Sequence, residues 1–119
     1  MKRILIVDDE PNIVMSLEYA FKKLNYEVYI ARNGEEALQI ANETSPHVVL
    51  LDIMMPEVDG YETLKRMRSN DKLASTRIVF LSAKNRAADI EKGLHSGADK
   101  YLTKPFSIKK LVAEITELL

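Results

Sequence analysis

The segment Val48-Val49-Leu50-Leu51-Asp52 places four apolar residues directly before an acid. A short, continuous apolar run of this kind predicts a buried strand, which here ends in a carboxylate. Three more apolar runs lead towards polar residues: Ile4–Val7 before Asp8 and Asp9, Ile78–Leu81 before Ser82, and Tyr101–Leu102 before Lys104. Because helix-like sequence separates each run from the next, the chain is typical of an α/β fold with a parallel sheet.

Five strands alternate with five helices in this interpretation. The predicted strands are Arg3–Val7, Glu27–Ala31, Val48–Leu51, Arg77–Leu81 and Lys100–Thr103. The predicted helices are Pro11–Leu24, Glu35–Glu43, Tyr61–Arg68, Ala87–Ser96 and Ile108–Leu118. Residues 69–76 form the longest predicted loop, and Gly97 is placed to end the fourth helix in the left-handed conformation. Right-handed crossovers would then cover both faces of a doubly wound sheet with helices.

Length and composition restrict the classes of protein to which the chain can belong. Its 119 residues fit one domain, and we expect residues 1–119 to form it. The formal net charge of -1 does not attract a polyanion, so no direct nucleic acid contact is expected. The absence of cysteine excludes disulfides and thiolate metal sites. The apolar runs are too short to cross a membrane and no signal-peptide pattern is present, so a cytoplasmic location is expected.

Residues distant in the sequence should meet at one edge of the predicted sheet. The carboxyl ends of parallel strands lie together, and ligands bind there where the strand order reverses. The polar residues at those ends are Asp8, Asp9, Asp52, Ser82 and Lys104. Asp52 follows four apolar residues, and a buried acid is costly unless it is paired, metal-bound or reactive. Because carboxylates can attack phosphoryl groups, this combination predicts a phosphorylation site.

Most of these residues have a second interpretation when each is considered alone. Asp8 and Asp9 offer oxygen ligands to a hard divalent cation, but acids before a helix also serve as helix caps. Ser82 offers a hydroxyl to a phosphoryl oxygen, although a serine after a strand is commonly a turn residue. Lys104 offers a cation to a phosphate, although most lysines are solvated surface charges. Their joint position at the strand ends favours the functional interpretation.

Three further residues need an interpretation. His47 and His95 match no metal-ligand spacing, and we expect both at the surface. Tyr101 fits an ordinary core aromatic. As an aromatic residue shortly before Lys104 on the last strand, it also fits a side chain that moves between inward and outward rotamers.

Four segments resemble the receiver domain of two-component response regulators, and the resemblance covers essentially the whole chain. These segments are Ile4–Glu10, Leu51–Gly60, Leu81–Ala83 and Gly97–Phe106. The resemblance implies a flavodoxin-like, five-stranded sheet in the order 2-1-3-4-5. It also implies that Asp52 is the phosphoacceptor.

The same resemblance implies a metal and a set of site residues. Mg²⁺ would be held by Asp8, Asp9, Asp52 and the main-chain carbonyl of Met54. Ser82 would be the switch hydroxyl, Tyr101 the aromatic switch and Lys104 the phosphate-binding lysine, with a cis peptide bond between Lys104 and Pro105.

The implied function is that of a signalling switch. A sensor histidine kinase or a histidine phosphotransfer protein would donate a phosphoryl group to Asp52, and the surface of helix 4, strand 5 and helix 5 would change in response. The domain would promote this transfer and its own slow dephosphorylation, so signalling rather than turnover is its main role. An effector domain or target protein would receive the signal.

A homodimer through helix 4, strand 5 and helix 5 is a further expectation from DNA-binding members of the family. Those members usually carry an acid at the position of Lys100 and a base at the position of Glu114. The signs are reversed here, so the usual dimer cannot be assumed.

Two other functions compete with this interpretation. A phosphohydrolase with an aspartate nucleophile also uses Mg²⁺, but such enzymes typically have a second acid two residues after the nucleophile, where this chain has Met54. A flavodoxin-like module for a flavin phosphate is the other candidate. Its phosphate loop is rich in Gly, Ser and Thr, whereas residues 8–11 here are Asp-Asp-Glu-Pro.

Overall fold

All five strands lie in one parallel sheet. The computed structural model describes all 119 residues. The strands are β1 (Arg3–Val7), β2 (Glu27–Ala31), β3 (Val48–Asp52), β4 (Arg77–Ser82) and β5 (Lys100–Thr103). They are arranged in the order β2-β1-β3-β4-β5, and every neighbouring pair is parallel. The order reverses beside β1, as in a doubly wound, flavodoxin-like fold, which confirms the predicted topology.

Five helices connect the strands. They are α1 (Pro11–Lys23), α2 (Gly34–Thr44), α3 (Gly60–Arg68), α4 (Ala87–His95) and α5 (Ile108–Leu118). Each boundary lies within one residue of the predicted one. Gly97 follows α4 with a φ of 109°, which confirms its predicted left-handed conformation. No helix is long and apolar enough to span a membrane.

The predicted loop between α3 and β4 contains one element that the sequence did not indicate. Asp71–Leu73 forms a short 3-10 helix, and the Asn70 side chain accepts a hydrogen bond from Lys72 N at its start. Leu73 is buried against the core. A single turn with one apolar residue has no periodicity, so the sequence of this segment cannot be distinguished from that of a loop.

The sheet separates two apolar layers. Alternate side chains of β1 point to opposite faces: Leu5 and Val7 belong to one layer, and Ile4 and Ile6 belong to the other. Helices α2 and α3 cover the first layer, and α1 and α5 cover the second. Strands buried on both faces explain why the runs in β1, β3 and β4 are continuously apolar. Their polar residues therefore lie where the strands end.

His47 is half-buried, so its predicted surface position is wrong, whereas His95 is exposed as predicted. His47 Nδ1 accepts a hydrogen bond from Arg3 N, and His47 N donates one to Arg3 O, both at 2.9 Å. The Arg3 guanidinium donates to the carbonyls of Thr44 and Ser45. The pKa of His47 is lowered by burial and by the positive charges of Arg3, Lys2 and the N-terminus. The spacing of histidines cannot reveal that an imidazole accepts a backbone N–H.

Replacing His47 should change the pH dependence of stability. Because the pKa of His47 is lower in the folded than in the unfolded chain, its contribution to stability is present above pH ~6.5 and is lost as the pH falls through the folded pKa. His47→Asn keeps an acceptor near Arg3 N and removes the titration. It should flatten the loss of unfolding free energy between about pH 7 and 5, measured by urea denaturation.

His95→Asn is the matched control, since His95 is exposed. It should retain the pH profile of the unmodified chain. Equal acid sensitivity of His47→Asn and the unmodified chain would contradict the assignment.

Candidate functional site

Four of the predicted site residues meet where the strand order reverses. Asp8 follows β1, Asp52 ends β3, Ser82 ends β4, and Lys104 follows β5. Asp8 N donates to Ala31 O and Lys104 N donates to Ser82 O, so both loops continue the hydrogen bonding of their strands. The predicted convergence at the carboxyl edge of the sheet is therefore present.

The Lys104 ammonium lies among the carboxylates of this site. Its Nζ atom is 2.9 Å from Asp8 Oδ2, 2.9 Å from Glu10 Oε1 and 3.8 Å from Asp52 Oδ2. The side chain is only 10% exposed, and the Lys104–Pro105 bond is cis, as the resemblance implies. Burial lowers the pKa of Lys104, but the hydrogen bond with Glu10, the close ion pair with Asp8 and the charge of Asp52 outweigh that effect and raise it. Lys104 is a buried cation rather than a solvated surface charge.

Asp52 is buried, with 5% of its surface exposed. Its Oδ1 atom accepts a hydrogen bond from Met54 N at 3.2 Å. Burial and the charge of Asp8 raise the pKa of Asp52 to about 6, and the Lys104 charge and the Met54 hydrogen bond only partly oppose them. The carboxylate is therefore largely ionised at neutral pH.

Asp8 is nearly inaccessible to solvent, with 1% of its surface exposed. Its Oδ1 atom accepts a hydrogen bond from Glu10 N at 2.9 Å. Its Oδ2 atom has no hydrogen bond of good geometry, even though Lys104 Nζ lies 2.9 Å away. A buried carboxylate oxygen in this condition can accept a further cation, because hard divalent ions prefer such ligands.

The acids that lie close enough together to hold a metal ion include Glu10 in addition to two of the predicted ligands, Asp8 and Asp52. Carboxylate oxygens of Asp8, Glu10 and Asp52 all lie within 4.8 Å of one another. Asp9 is exposed and lies outside this group, so its role as a metal ligand stays a prediction. Glu10 was missed by the sequence analysis. The chain bends at Asp9, and the hydrogen bond from Glu10 N to Asp8 Oδ1 holds residues 8 and 10 together, so the Glu10 carboxylate reaches Lys104 Nζ.

The helix-cap alternative for the acids after β1 does not apply. The N-cap residue of α1 is Glu10, and its side chain makes no capping hydrogen bond. Pro11 occupies the first helical position, where its missing N–H is not needed. The acids at this strand end are therefore available to the site.

The two predicted switch residues are joined through the backbone of Lys84. Ser82 is fully buried, and its Oγ atom accepts a hydrogen bond from Lys84 N at 3.1 Å. Tyr101 is half-buried on β5, and its hydroxyl donates to Lys84 O at 2.8 Å. Tyr101 also contacts Phe80 edge to face, with 6.2 Å between ring centroids. The positions of the two side chains are thus linked, and their role as a switch stays a prediction.

The reversed charges at Lys100 and Glu114 lie close together within the chain. Lys100 Nζ on β5 is 3.5 Å from Glu114 Oε1 on α5. Both side chains are partly exposed, so the pair adds little stability.

The fold and the site together define a class of protein. A doubly wound parallel sheet brings a buried carboxylate, a cation-accepting acid, a lysine and a serine to the point where the strand order reverses. Buried acids beside a lysine and a potential metal site are suited to phosphoryl chemistry in a small signalling domain.

Comparison with known proteins gives the same class. The family described as "Response regulator receiver domain" matches residues 4–116. The chain is 43% identical over 117 residues to the transcriptional regulatory protein TrcR of Mycobacterium tuberculosis, a match that covers 98% of this chain and 45% of that protein. It is 41% identical over 118 residues to the alkaline phosphatase synthesis transcriptional regulatory protein PhoP of Bacillus subtilis, covering 99% of this chain and 48% of that protein.

A solved structure agrees with these sequence matches. The chemotaxis response regulator CheY4 of Vibrio cholerae superposes with a TM-score of 0.94 at 29% identity, covering 100% of this chain and 99% of that one. The chain belongs to the response regulator receiver domain family. It spans about half the length of the curated relatives it matches.

The raised pKa of Asp52 should be visible as a pH-dependent stability of the metal-free protein. Because the folded pKa is about 6 and the ordinary value is 3.8, the contribution is fully present below pH 3.8 and is lost as the pH rises through 6. Asp52→Asn should remove this loss and gain about 3 kcal/mol relative to the unmodified chain at neutral pH, because the pKa difference is about 2. Urea denaturation with a chelator across pH 4–8 measures the difference.

Asp9→Asn serves as the control, since Asp9 is exposed at the same strand end. It should leave most of the pH dependence in place. A constant difference between Asp52→Asn and the unmodified chain over the whole pH range would rule out a raised pKa at Asp52.

Proposed function

We propose that residues 1–119 form one receiver domain that accepts a phosphoryl group on Asp52 in a two-component phosphorelay. The observation that carries this proposal is the buried Asp52 carboxylate at the reversal point, 3.8 Å from the Lys104 ammonium. The donor is a sensor histidine kinase or a histidine phosphotransfer protein. The compartment that follows from such a donor is the cytoplasm.

Asp8, Glu10 and Asp52 are suited to hold Mg²⁺. The support is the proximity of their oxygens and the buried Asp8 Oδ2 without a good hydrogen bond. The predicted ligands Asp9 and the main-chain carbonyl of Met54 complete the proposed set, directly or through water. When bound, Mg²⁺ supplies positive charge between the carboxylates and the phosphoryl oxygens, which lowers their mutual repulsion.

Asp52, Lys104 and Ser82 each have a separate role in the proposed phosphoryl transfer. An oxygen of ionised Asp52 attacks phosphorus while the phosphorus–nitrogen bond of the donor phosphohistidine breaks, and the bonding electron pair returns to the imidazole. The Lys104 ammonium neutralises charge on the transferred group. The only hydrogen bond of the Ser82 side chain is one that Oγ accepts, so its O–H is free to donate to a phosphoryl oxygen. The domain thus promotes its own phosphorylation, and slow hydrolysis of the acyl phosphate resets it.

The signal would leave through α4, β5 and α5, with Ser82 and Tyr101 as the switch. The link of both side chains to Lys84 supports this route. An effector domain or a target protein would receive the signal, and the domain itself would make no contact with nucleic acid. A homodimer through the same face is a further part of the proposal. It would have to accommodate the intrachain pair of Lys100 with Glu114.

The phosphohydrolase alternative is not favoured. The residue two positions after Asp52 is Met54, whose exposed side chain cannot act as the second acid. The flavin phosphate alternative requires an anion at a site already lined by Asp8, Glu10 and Asp52.

Incubation with acetyl phosphate and Mg²⁺ should add one phosphoryl group to the protein. The adduct should be labile to hydroxylamine, as acyl phosphates are, because the acceptor is a carboxylate. Intact-mass spectrometry measures the addition, and Asp52→Asn should abolish it. Asp71→Asn is the matched control, because Asp71 is an exposed acid outside the site, and it should be labelled like the unmodified chain. Undiminished labelling of Asp52→Asn would place the phosphoryl group elsewhere.

Mg²⁺ should stabilise the folded chain, because it binds the native acidic group and not the unfolded chain. At a concentration ten times the Kd, the gain is about 1.4 kcal/mol, or several degrees in Tm. Asp8→Asn should remove most of this gain and Glu10→Gln a smaller part, because Asp8 is buried and Glu10 is largely exposed. Differential scanning calorimetry, with KCl at equal ionic strength as the control, measures the shifts. An unchanged Tm in millimolar Mg²⁺ would exclude the metal site.

A further inference from the structure

Helix α4 is attached to the rest of the domain by few buried groups. Gly93 is its only buried residue, whereas α1, α2, α3 and α5 each bury two or more. Leu94, the next residue, has 45% of its surface exposed. A helix with so little buried apolar surface belongs to the least stable part of a fold. Its position therefore depends on what lies against Gly93.

The ring of Tyr101 occupies the space beside Gly93. A Cβ atom built on Gly93 would lie 2.5 Å from Tyr101 Cδ2, 2.8 Å from Tyr101 Cε2 and 3.3 Å from Phe80 Cδ2. Cβ atoms essentially never approach other heavy atoms within 3.0 Å, so a larger residue at position 93 requires the Tyr101 ring or α4 to shift. The ring is able to move, because it belongs to a half-buried side chain on the edge strand β5.

The same ring connects Gly93 to the phosphorylation site. The Tyr101 hydroxyl donates to Lys84 O, and Lys84 N donates to Ser82 Oγ. A continuous chain of contacts therefore leads from the buried Ser82 hydroxyl to α4. Its last contact is the ring against the bare α-carbon of Gly93.

A second contact attaches α4 to the sheet through Tyr61, which lies at the other end of a row formed by Tyr61, Phe80 and Tyr101. Lys92 Nζ lies 4.4 Å from the centroid of the Tyr61 ring. Tyr61 packs edge to face on Phe80 at 5.3 Å, and Phe80 packs on Tyr101 at 6.2 Å. Lys92 stays on Tyr61 when only Tyr101 moves, so loss of the Gly93 contact is expected to shift α4 without detaching it.

We propose that Gly93 is a positioning residue for Tyr101. Its missing side chain provides the room in which the ring lies against α4, and the size of residue 93 decides whether the ring occupies this inner position or turns towards solvent. The effect on signalling rests on the proposed function. The effect on the ring position does not.

Gly93→Ala separates this role from an ordinary helix substitution. Alanine favours a helix interior more than glycine does, so the substitution alone should stabilise α4. The steric conflict with the Tyr101 ring opposes this gain in stability. In a Tyr101→Ala background the two contacts below 3.0 Å are removed, and only the 3.3 Å approach to Phe80 Cδ2 opposes the gain.

A double-mutant cycle tests the proposal. Gly93→Ala should raise Tm clearly in the Tyr101→Ala background, and should raise it less or lower it when Tyr101 is present. Ala88→Gly is the matched control, because Ala88 is an exposed residue of the same helix. Its effect on Tm should be the same in both backgrounds. Additive effects of Gly93→Ala and Tyr101→Ala would overturn the proposal, as would failure of the double variant to fold.

Proton NMR supplies a readout that a purely structural role would not move. Nuclear Overhauser effects between the rings of Tyr101 and Phe80 should weaken in Gly93→Ala, and the amide shift of Asn85, which follows the Lys84 carbonyl, should change as that hydrogen bond is lost. Persistence of both signals would contradict the proposed displacement.

Acetyl phosphate labelling distinguishes this result from the phosphoacceptor proposal. Gly93→Ala should still be labelled on Asp52. Beryllium fluoride, used as a mimic of the phosphoryl group on Asp52, should change the NMR shifts of Tyr101 in the unmodified protein but not in Gly93→Ala. If the unmodified protein is not labelled at all, the proposed function is wrong. The double-mutant cycle and the NMR signals of Tyr101 then still test whether Gly93 positions the ring. If labelling and the shift changes at Tyr101 are both the same as in the unmodified protein, Gly93 does not position the switch.

Discussion

The electrostatic balance at the site depends on three buried charges: the carboxylates of Asp8 and Asp52, which repel each other, and the ammonium group of Lys104, which attracts both. Oxygens of Asp8 and Asp52 lie within 4.8 Å of each other, and two such charges repel by roughly 3 kcal/mol at an effective dielectric constant of 20. Lys104 Nζ, at 2.9 Å and 3.8 Å from them, offsets the repulsion only in part, since the pKa of Asp52 remains raised to about 6. The site therefore favours the arrival of more positive charge.

The same site is connected to the least firmly attached part of the fold. Ser82 touches the backbone of Lys84, Lys84 holds the hydroxyl of Tyr101, and Tyr101 lies against Gly93 of α4. These contacts connect a sheet that is buried on both faces with α4, a helix that has only one buried residue. If the sheet edge shifts at Ser82, these contacts would pass the displacement to α4, which few buried groups hold in place.

The sequence predicted the fold and most of the site because continuous apolar runs indicate strands buried on both faces. Polar residues that directly follow such strands must then lie together at the carboxyl edge of the sheet. The order of the strands came from the family resemblance, since periodicity does not identify neighbours in a sheet. The place of Glu10 in the acidic group depends on the bend at Asp9, which the sequence pattern does not indicate. His47 was misplaced because its partner is a backbone N–H, which no side-chain pattern records. The turn Asp71–Leu73 was too short to show a period.

The distance along the chain between the members of the site has a consequence for biosynthesis. Glu10 and Lys104, joined by a 2.9 Å contact, are separated by 94 positions. A ribosome delivers Asp8 and Asp52 well before Lys104, and domains of this size fold largely as units. Until β5 docks on β4, the acids lack their only cation from the chain and must remain hydrated, take up protons or hold metal. β5 thus completes both the five-stranded sheet and the charge balance of the site, and a nascent chain that lacks it has neither.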